Sequence, residues 1–382
     1  MKKLLIWIGS VICTMQSVAT AEISGSVTAS YSHFPHSLET SFEDDVSLEL
    51  KALGHSDFSH WSIDYELVLR KSINDEGKDI IEPRELFVKR SFGDFDISVG
   101  NRQFFWGVTE SKNVVDFVNQ RDSAAGNSTE DKLGATSIST EFYLQDAEIQ
   151  YVFMPYFRER TFNAQDAHPG LGVSLNKAMF SDHKGSMSGD HAVRYSNSFG
   201  EYDIGINGFY GTAREPILNF NNNGTATPYY PEYQALGLDV QFTGASTLYK
   251  GEFVKGYQDE IETTAYVLGF ESTFYSIASS SWDIGLIGEL QFDDRSQAAA
   301  TRFNVGGLRF TANNASDSNF LVLYAADEAG EQLSYMGQFS HRLNNGLKLE
   351  AEYTEFYSSV RGLPFRNLID DSYFQVSVGY YF

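Results

Sequence analysis

Apolar and polar side chains alternate with a period of two along almost the whole of this chain. Trp61, Ile63, Tyr65, Leu67 and Leu69 are interleaved with Ser62, Asp64, Glu66 and Arg70. Tyr202, Ile204, Ile206 and Tyr210 alternate with Asp203 and Asn207, and Leu347, Leu349, Ala351 and Tyr353 with Lys348, Glu350 and Glu352. Successive side chains of a strand point to opposite faces, so each run makes a ribbon with one apolar and one polar face. Eighteen such runs can be marked between 22–33 and 372–382, with 42–53, 94–105 and 132–143 among them. Each is close to the ~9–11 residues that a tilted strand needs to cross a bilayer.

An apolar ribbon face must meet either a second sheet or lipid. Two patterns favour lipid. Aromatic residues gather at the ends of the apolar faces, as a membrane girdle requires. The connections also sort by parity. The even ones are mostly tight, as at Gly54–Asp57, Phe92–Asp94, Gln145–Asp146, Phe199–Glu201, Gly244–Ser246 and Asn344–Gly346. The odd ones are generally longer and more polar, as at 106–131, 158–189, 213–232 and 358–371. A sandwich has no reason to sort its loops in this way. The expectation is an all-β transmembrane antiparallel barrel of about eighteen strands, with sixteen as the alternative count. Its periplasmic turns are short and its external loops long. Aromatics at 15% and Gly 32 against Pro 8 agree with that class.

The ends point the same way. Lys2 and Lys3 precede an apolar stretch, Leu4–Cys13, too short to span a bilayer, and Ala19-Thr20-Ala21 is an A-x-A cleavage site. Residues 1–21 thus read as an export signal peptide and 22–382 as the barrel. Ile12 before Cys13 argues against a lipoprotein signal. Cys13 is the single cysteine, so the mature chain has none. That excludes disulfides, thiol catalysis and cysteine metal sites. At the other end Phe374, Val376, Val378, Tyr380 and Phe382 alternate with Gln375, Ser377 and Gly379. A closing Phe382 resembles the signal read by bacterial barrel-assembly machinery. The expected partners are that machinery, outer-membrane lipid and lipopolysaccharide, and a small solute. Acidic segments at Asn74–Glu76 and Asp370–Asp371 suit divalent bridges to lipopolysaccharide or plain solvation.

With 51 acidic against 28 basic residues and a formal charge of −23, the chain is no nucleic-acid binder. A barrel of this size leaves a lumen wide enough for water. Asp64, Glu66, Glu148, Asp203, Glu289 and Glu350 fall on inward faces, as do Glu252 and Glu352. Two readings stand: the wall is polar because water fills it, or a negative potential favours cations.

The stretch RQFFWGVTESKNVVDFVNQRD, Arg102–Asp122, follows the fifth run on the external side. It is the third external loop, and Val114–Val118 is too apolar for an exposed tip. Packing against the inner wall is expected. By parity Arg102 faces the lumen, with Glu85 or Asp116 as partner, and Gly100 leaves room for a returning loop. Arg121-Asp122 suits an anchor at the loop's far end by a bidentate pair.

Glu85–Arg90, Phe92–Asp96, Val99–Gln103, Trp106-Gly107 and Asn113–Asp122 are together similar to a pattern in a widespread group of proteobacterial outer-membrane porin-like proteins, largely of unknown function. That signature reads roughly R-E-A-Y-V, F-G-D, V-G-R-Q, W-G and N-x-x-D-x-x-N-P-R-D. Here Asn101 precedes Arg102 and Gln120 stands where Pro is usual. The match covers residues 84–122. It implies a porin-like barrel and no settled solute. Glu85, Arg102, Trp106, Asn113, Asp116, Asn119, Arg121 and Asp122 are the candidates for loop anchoring and pore constriction.

The function expected is passive or weakly selective diffusion of small solutes, with a cation preference. An exporter component, or a barrel largely closed by the loop, is the alternative. An enzyme fits less well. None of His33, His36, His55, His60, His168, His183, His191 and His341 lies in a nucleophile or metal motif, and all read as surface histidines. No cofactor is expected.

Overall fold

The structure is a computed structural model. It describes residues 21–36, 42–123, 131–163, 165, 167–168, 170, 172–181, 185–187 and 189–382. The signal-peptide reading therefore lies, except for Ala21, outside the described residues, as does His183.

Eighteen antiparallel strands form one closed sheet. They are β1 Ala21–His33, β2 Asp44–Phe58, β3 Trp61–Ser72, β4 Ile80–Ser91, β5 Phe95–Arg102 and β6 Ala135–Leu144. Next come β7 Ala147–Met154, β8 Asp190–Phe199, β9 Tyr202–Thr212, β10 Glu232–Thr243, β11 Thr247–Gln258 and β12 Ile261–Phe274. The last six are β13 Trp282–Asp293, β14 Arg302–Ala312, β15 Asn319–Asp327, β16 Gln332–Arg342, β17 Leu347–Ser358 and β18 Tyr373–Tyr381. Each pairs with the next, and β1 pairs with β18, Ser26 opposite Tyr381. Closure leaves no unpaired strand edge.

Parity sets the two faces. Leu67, Leu69, Val99, Ile206, Tyr210, Leu286 and Leu290 are exposed on the outside, where lipid would cover them. Rings meet along the periplasmic rim, Phe95 with Phe142 and Tyr202 with Phe242. Val68, Ser98, Asn207 and Glu289 point inward and are buried.

Three of the differences from the expected boundaries bear on the site and the wall. Gly54 does not turn; β2 runs on to Phe58, and the reversal falls at Ser59-His60, where Ser59 has φ 60°. Gly54 instead makes room for the Tyr65 ring on the neighbouring strand, because a Cβ there would lie 2.2 Å from Tyr65 Cζ. Such rings laid over a strand glycine stabilise the sheet. The other two differences flank the third external loop. β5 ends at Arg102 and β6 begins only at Ala135, because the chain leaves the wall earlier and returns later.

The external loops L4 (155–189) and L5 (213–231) build a small sheet of their own. Ile217–Phe220 pairs antiparallel with Thr225–Tyr230, which pairs in parallel with Ser174–Leu175 and Met179–Phe180. The buried apolar cluster among the described residues is not between sheets. It lies inside the barrel, where L3 (103–134) packs against the inward faces of β7 to β12.

Candidate functional site

L3 begins where Arg102 ends the fifth strand. Arg102 faces the lumen as parity demands, but its partner is neither Glu85 nor Asp116. Its guanidinium lies 2.5 Å from Glu141 on β6 and donates to Ser139 at 3.1 Å. The neighbouring strand supplies the carboxylate before any loop acid can reach. Glu85 accepts from the backbone N–H of Gln103 at 3.1 Å, holding the point where the chain turns inward. Gly100 does not serve the loop: with φ 144°, its missing Cβ clears the β4 backbone, 2.2 Å from Leu86 O.

Asn119 joins the outgoing and returning arms. Its oxygen accepts from Phe104 N at 2.7 Å, and its nitrogen donates to Arg102 O and Leu133 O, each at 2.9 Å. A short ladder completes the neck, with Leu133 N donating to Gln120 O and Asp122 N to Asp131 O. Lys132 is buried there, paired with Asp116 and donating to Phe104 O at 2.7 Å.

Trp106 is buried; its indole donates to Gln150 on β7 at 3.0 Å and meets Phe117 edge to face. Val114, Val115, Phe117 and Val118 press on Phe209, Tyr233, Ala235 and Val254 of the wall. Gly237 makes this possible, since a Cβ there would stand 3.0 Å from Val115 Cγ1.

Two carboxylates on the far wall hold the tip. Glu252 on β11 accepts from Val108 N (2.7 Å), Thr109 N (3.0 Å) and Thr109 Oγ1 (2.8 Å) with one oxygen. Its other oxygen accepts from Val114 N (2.6 Å) and Val115 N (3.3 Å). The loop thus wraps a nest of N–H groups around one carboxylate. Gly107, at φ 111°, is needed because a Cβ would lie 2.6 Å from Glu252 Oε1. Asn113 closes the nest, its amide nitrogen placed to donate to Thr109 O (2.9 Å) and Glu252 Oε1 (3.0 Å). Glu289 on β13 accepts from Glu110 N at 2.7 Å and from Ser111 N and Oγ. Glu110 pairs with Arg309 on β14 at 2.6 Å, and Lys112 with Asp293 at 2.6 Å.

The returning arm ends on Asp122. Its carboxylate has no solvent exposure and meets Arg70 at 3.0 Å and Arg84 at 2.5 Å, while Thr161 Oγ1 donates at 3.1 Å. Burial pushes the Asp122 carboxyl up, and the fields of Arg70 and Arg84 more than reverse this, leaving it below the ordinary carboxylate range. Arg84 reaches inward because of a bulge: Glu66 pairs with Glu85 and Leu67 with Pro83, so Arg84 is the extra residue. Arg121 joins no ion pair among the described residues and lines an open cavity.

Apart from Glu252 and Glu289, the inward acids named from the sequence lie away from L3. Asp64 contacts His55 Nδ1 at 2.6 Å, Asp203 accepts from Ser198, and Glu350 pairs with Lys348 at 2.8 Å. Glu66 faces Glu85 across the β3–β4 pair, and Glu148 is half-buried near the periplasmic rim. Two further expectations are corrected. His168 is not a surface residue: it is buried, 2.9 Å from Asp371 and stacked on Phe34. Asp75 and Asp371 are buried too, so of the two acidic loop segments only the other members face solvent. No group of three metal-ligating side chains occurs among the described residues.

Sequence reasoning named Trp106, Asn113, Asp116, Asn119 and Asp122 of the loop but not Thr109, Glu110, Ser111, Lys112 or Lys132, and it missed several partners on the wall: Arg70, Arg84, Gln150 and Glu141. It placed Glu252 and Glu289 on the inward face without seeing that L3 would use them. Arg84 was within reach, since it opens the matched stretch 84–122.

No protein-family model and no curated protein sequence matches this chain. Solved structures are similar in fold. OccK3 (OpdO) of Pseudomonas aeruginosa aligns with a TM-score of 0.58 at 9% identity, over 95% of this chain and 96% of that one. Wzi, an outer-membrane protein involved in group 1 capsule assembly in Escherichia coli and described as a carbohydrate-binding β-barrel, aligns with a TM-score of 0.57 at 9% identity, over 98% and 87%. At such identities the likeness speaks for the fold alone: this chain is an eighteen-stranded transmembrane β-barrel with its third external loop turned into the lumen.

Proposed function

We propose that this protein is an outer-membrane channel through which small solutes diffuse passively past a fixed L3 constriction, with a weak preference for cations. One observation carries the reading. L3 covers the wall of β7 to β12, bonds to β13 and β14, and leaves that of β16 to β18 uncovered, where Gln338, Ser340, Lys348, Glu350, Gln375 and Ser377 line an open space of about 440 Å³. A polar wall beside an apolar plug is what a water-filled path past the plug needs. Carboxylates toward the periplasmic half, Asp64, Glu66, Glu148 and Asp203, favour cations through their potential in a confined pore. Membership of the porin-like group rests on residues 84–122.

The test is conductance of the purified, heat-modifiable barrel in planar bilayers. Steady ohmic current is expected, with a reversal potential in a KCl gradient that favours potassium. Silent bilayers from correctly folded protein would sink the channel and leave a barrel shut by its loop. A reversal potential favouring chloride would remove the cation preference alone.

A further inference from the structure

External to L3 the lumen opens into a cavity of about 420 Å³ with two unlike walls. One wall is cationic. Lys112, Arg121, Arg160, Arg214 and Arg295 line it against three carboxylates, Asp116, Glu215 and Asp293; Arg214 is taken by Asp190 and Asp116 by Lys132. Asp293 is shared: Arg295 holds it by two bonds at 2.8 and 2.7 Å, and Lys112 reaches it at 2.6 Å. Arg160 pairs with Glu215 at 3.1 Å. Five cations to three carboxylates leave an excess of positive charge, and Arg121 is the lining cation without an ion pair among the described residues.

The opposite wall is apolar where a water-filled lumen gives it no reason to be. Phe303, Val305, Leu323, Ala325 and Met336 are inward positions of β14, β15 and β16, and Phe365 from the last external loop stacks on Phe303 at 5.4 Å. None of these belongs to the cluster that L3 forms with β7 to β12. On the same strands the outward face carries Phe320, Val322, Tyr324 and Tyr335, so lipid already accounts for one apolar face and not for the second.

We infer that this cavity is a subsite for apolar carboxylates, small monoanions with an alkyl or aryl body, which it gathers ahead of the L3 constriction. The inference rests on the channel reading above and adds a second solute class to small cations: the excess positive charge lies external to L3, whereas the carboxylates that favour cations lie toward the periplasm. A carboxylate would sit on Arg121 and Arg160, where a guanidinium presents a paired donor fork. Its apolar body would lie on Leu323, Val305 and Met336, each CH₂ covered there being removed from water. A cavity of this size is ordinary for a small-molecule site.

The test uses the full mature chain in planar bilayers, with acetate, butyrate, hexanoate and hexylammonium added to KCl. Half-blocking concentration is scored against each protein's own open-channel current. Block should tighten by roughly two- to fourfold per added CH₂ from acetate to hexanoate. Hexylammonium should not block at those concentrations. Arg121→Gln should weaken hexanoate block by about tenfold. Leu323→Asn should flatten the chain-length dependence. Equal block by acetate and hexanoate, equal block by hexylammonium, or no effect of either substitution overturns the subsite. Equilibrium dialysis of hexanoate against the detergent-solubilised barrel separates the two readings. Binding without any KCl conductance keeps the subsite and sinks the channel; conductance without binding does the reverse.

Discussion

Asp122 shows how much one side chain can hold. Its carboxylate lies between two buried guanidiniums, Arg70 and Arg84, on two different strands. Removing one partner of a buried ionic cluster typically costs about 3–5 kcal/mol, because the remaining charges stay buried and uncompensated. Asp122→Asn should lower barrel stability on that scale, read as a shift in the urea midpoint of the folded gel band. The pH dependence has a definite sign. The folded pKa lies below the ordinary value, so the contribution is complete above the ordinary carboxylate pKa and is lost as pH falls through the depressed one. The anchor should hold through neutral and mildly acidic conditions and weaken only in strong acid. Glu252 works differently, as an acceptor for four backbone N–H groups and one hydroxyl. Glu252→Gln turns an NH₂ toward some of those donors. It should loosen the tip, raising single-channel conductance and its noise while the barrel stays folded.

At the scale of elements, L3 is held at its neck by Asn119, on one wall by Asp122 and on the other by Glu252 and Glu289. An element fixed at three places is held against swinging, which fits the fixed constriction proposed above. Gln291 Nε2 lies 2.6 Å from Ser111 Oγ, and the mature chain is expected to have no cysteine of its own. Oxidation of a Ser111→Cys, Gln291→Cys pair should therefore leave conductance unchanged, whereas a loop that swings would show a redox-dependent current. The strands and the inward fold of L3 were legible in the sequence because both follow from local alternation and one misplaced apolar patch, Val114–Val118. The anchors were less so. Glu252 lies more than a hundred residues beyond the loop it holds, and nothing local marks it off from any other inward acid. The partner of Arg102 was missed for a nearer reason. Glu141 is on the adjoining strand, and its reach depends on register, which alternation alone does not fix. Gly54 misled because glycine signals a turn and also makes room for a ring, and only the pairing with Tyr65 tells them apart.

The whole molecule depends on one seam. β1 and β18 meet with Gly25 N donating to Phe382 O at 2.9 Å and Phe382 N to Gly25 O at 3.0 Å. The Phe382 ring covers Gly25, where a Cβ would lie 2.8 Å from the ring. Gly25→Val should displace the ring and slow closure, measured as the fraction reaching the heat-modifiable form. Once closed, a tube of strands resists stretching along its hydrogen bonds but flattens readily under sideways load. L3 runs from β3 and β4 on one side to β11, β13 and β14 on the other, bonded at both ends. It therefore acts as a tie rod across the bore, and the aperture keeps its shape when the surrounding lipid squeezes.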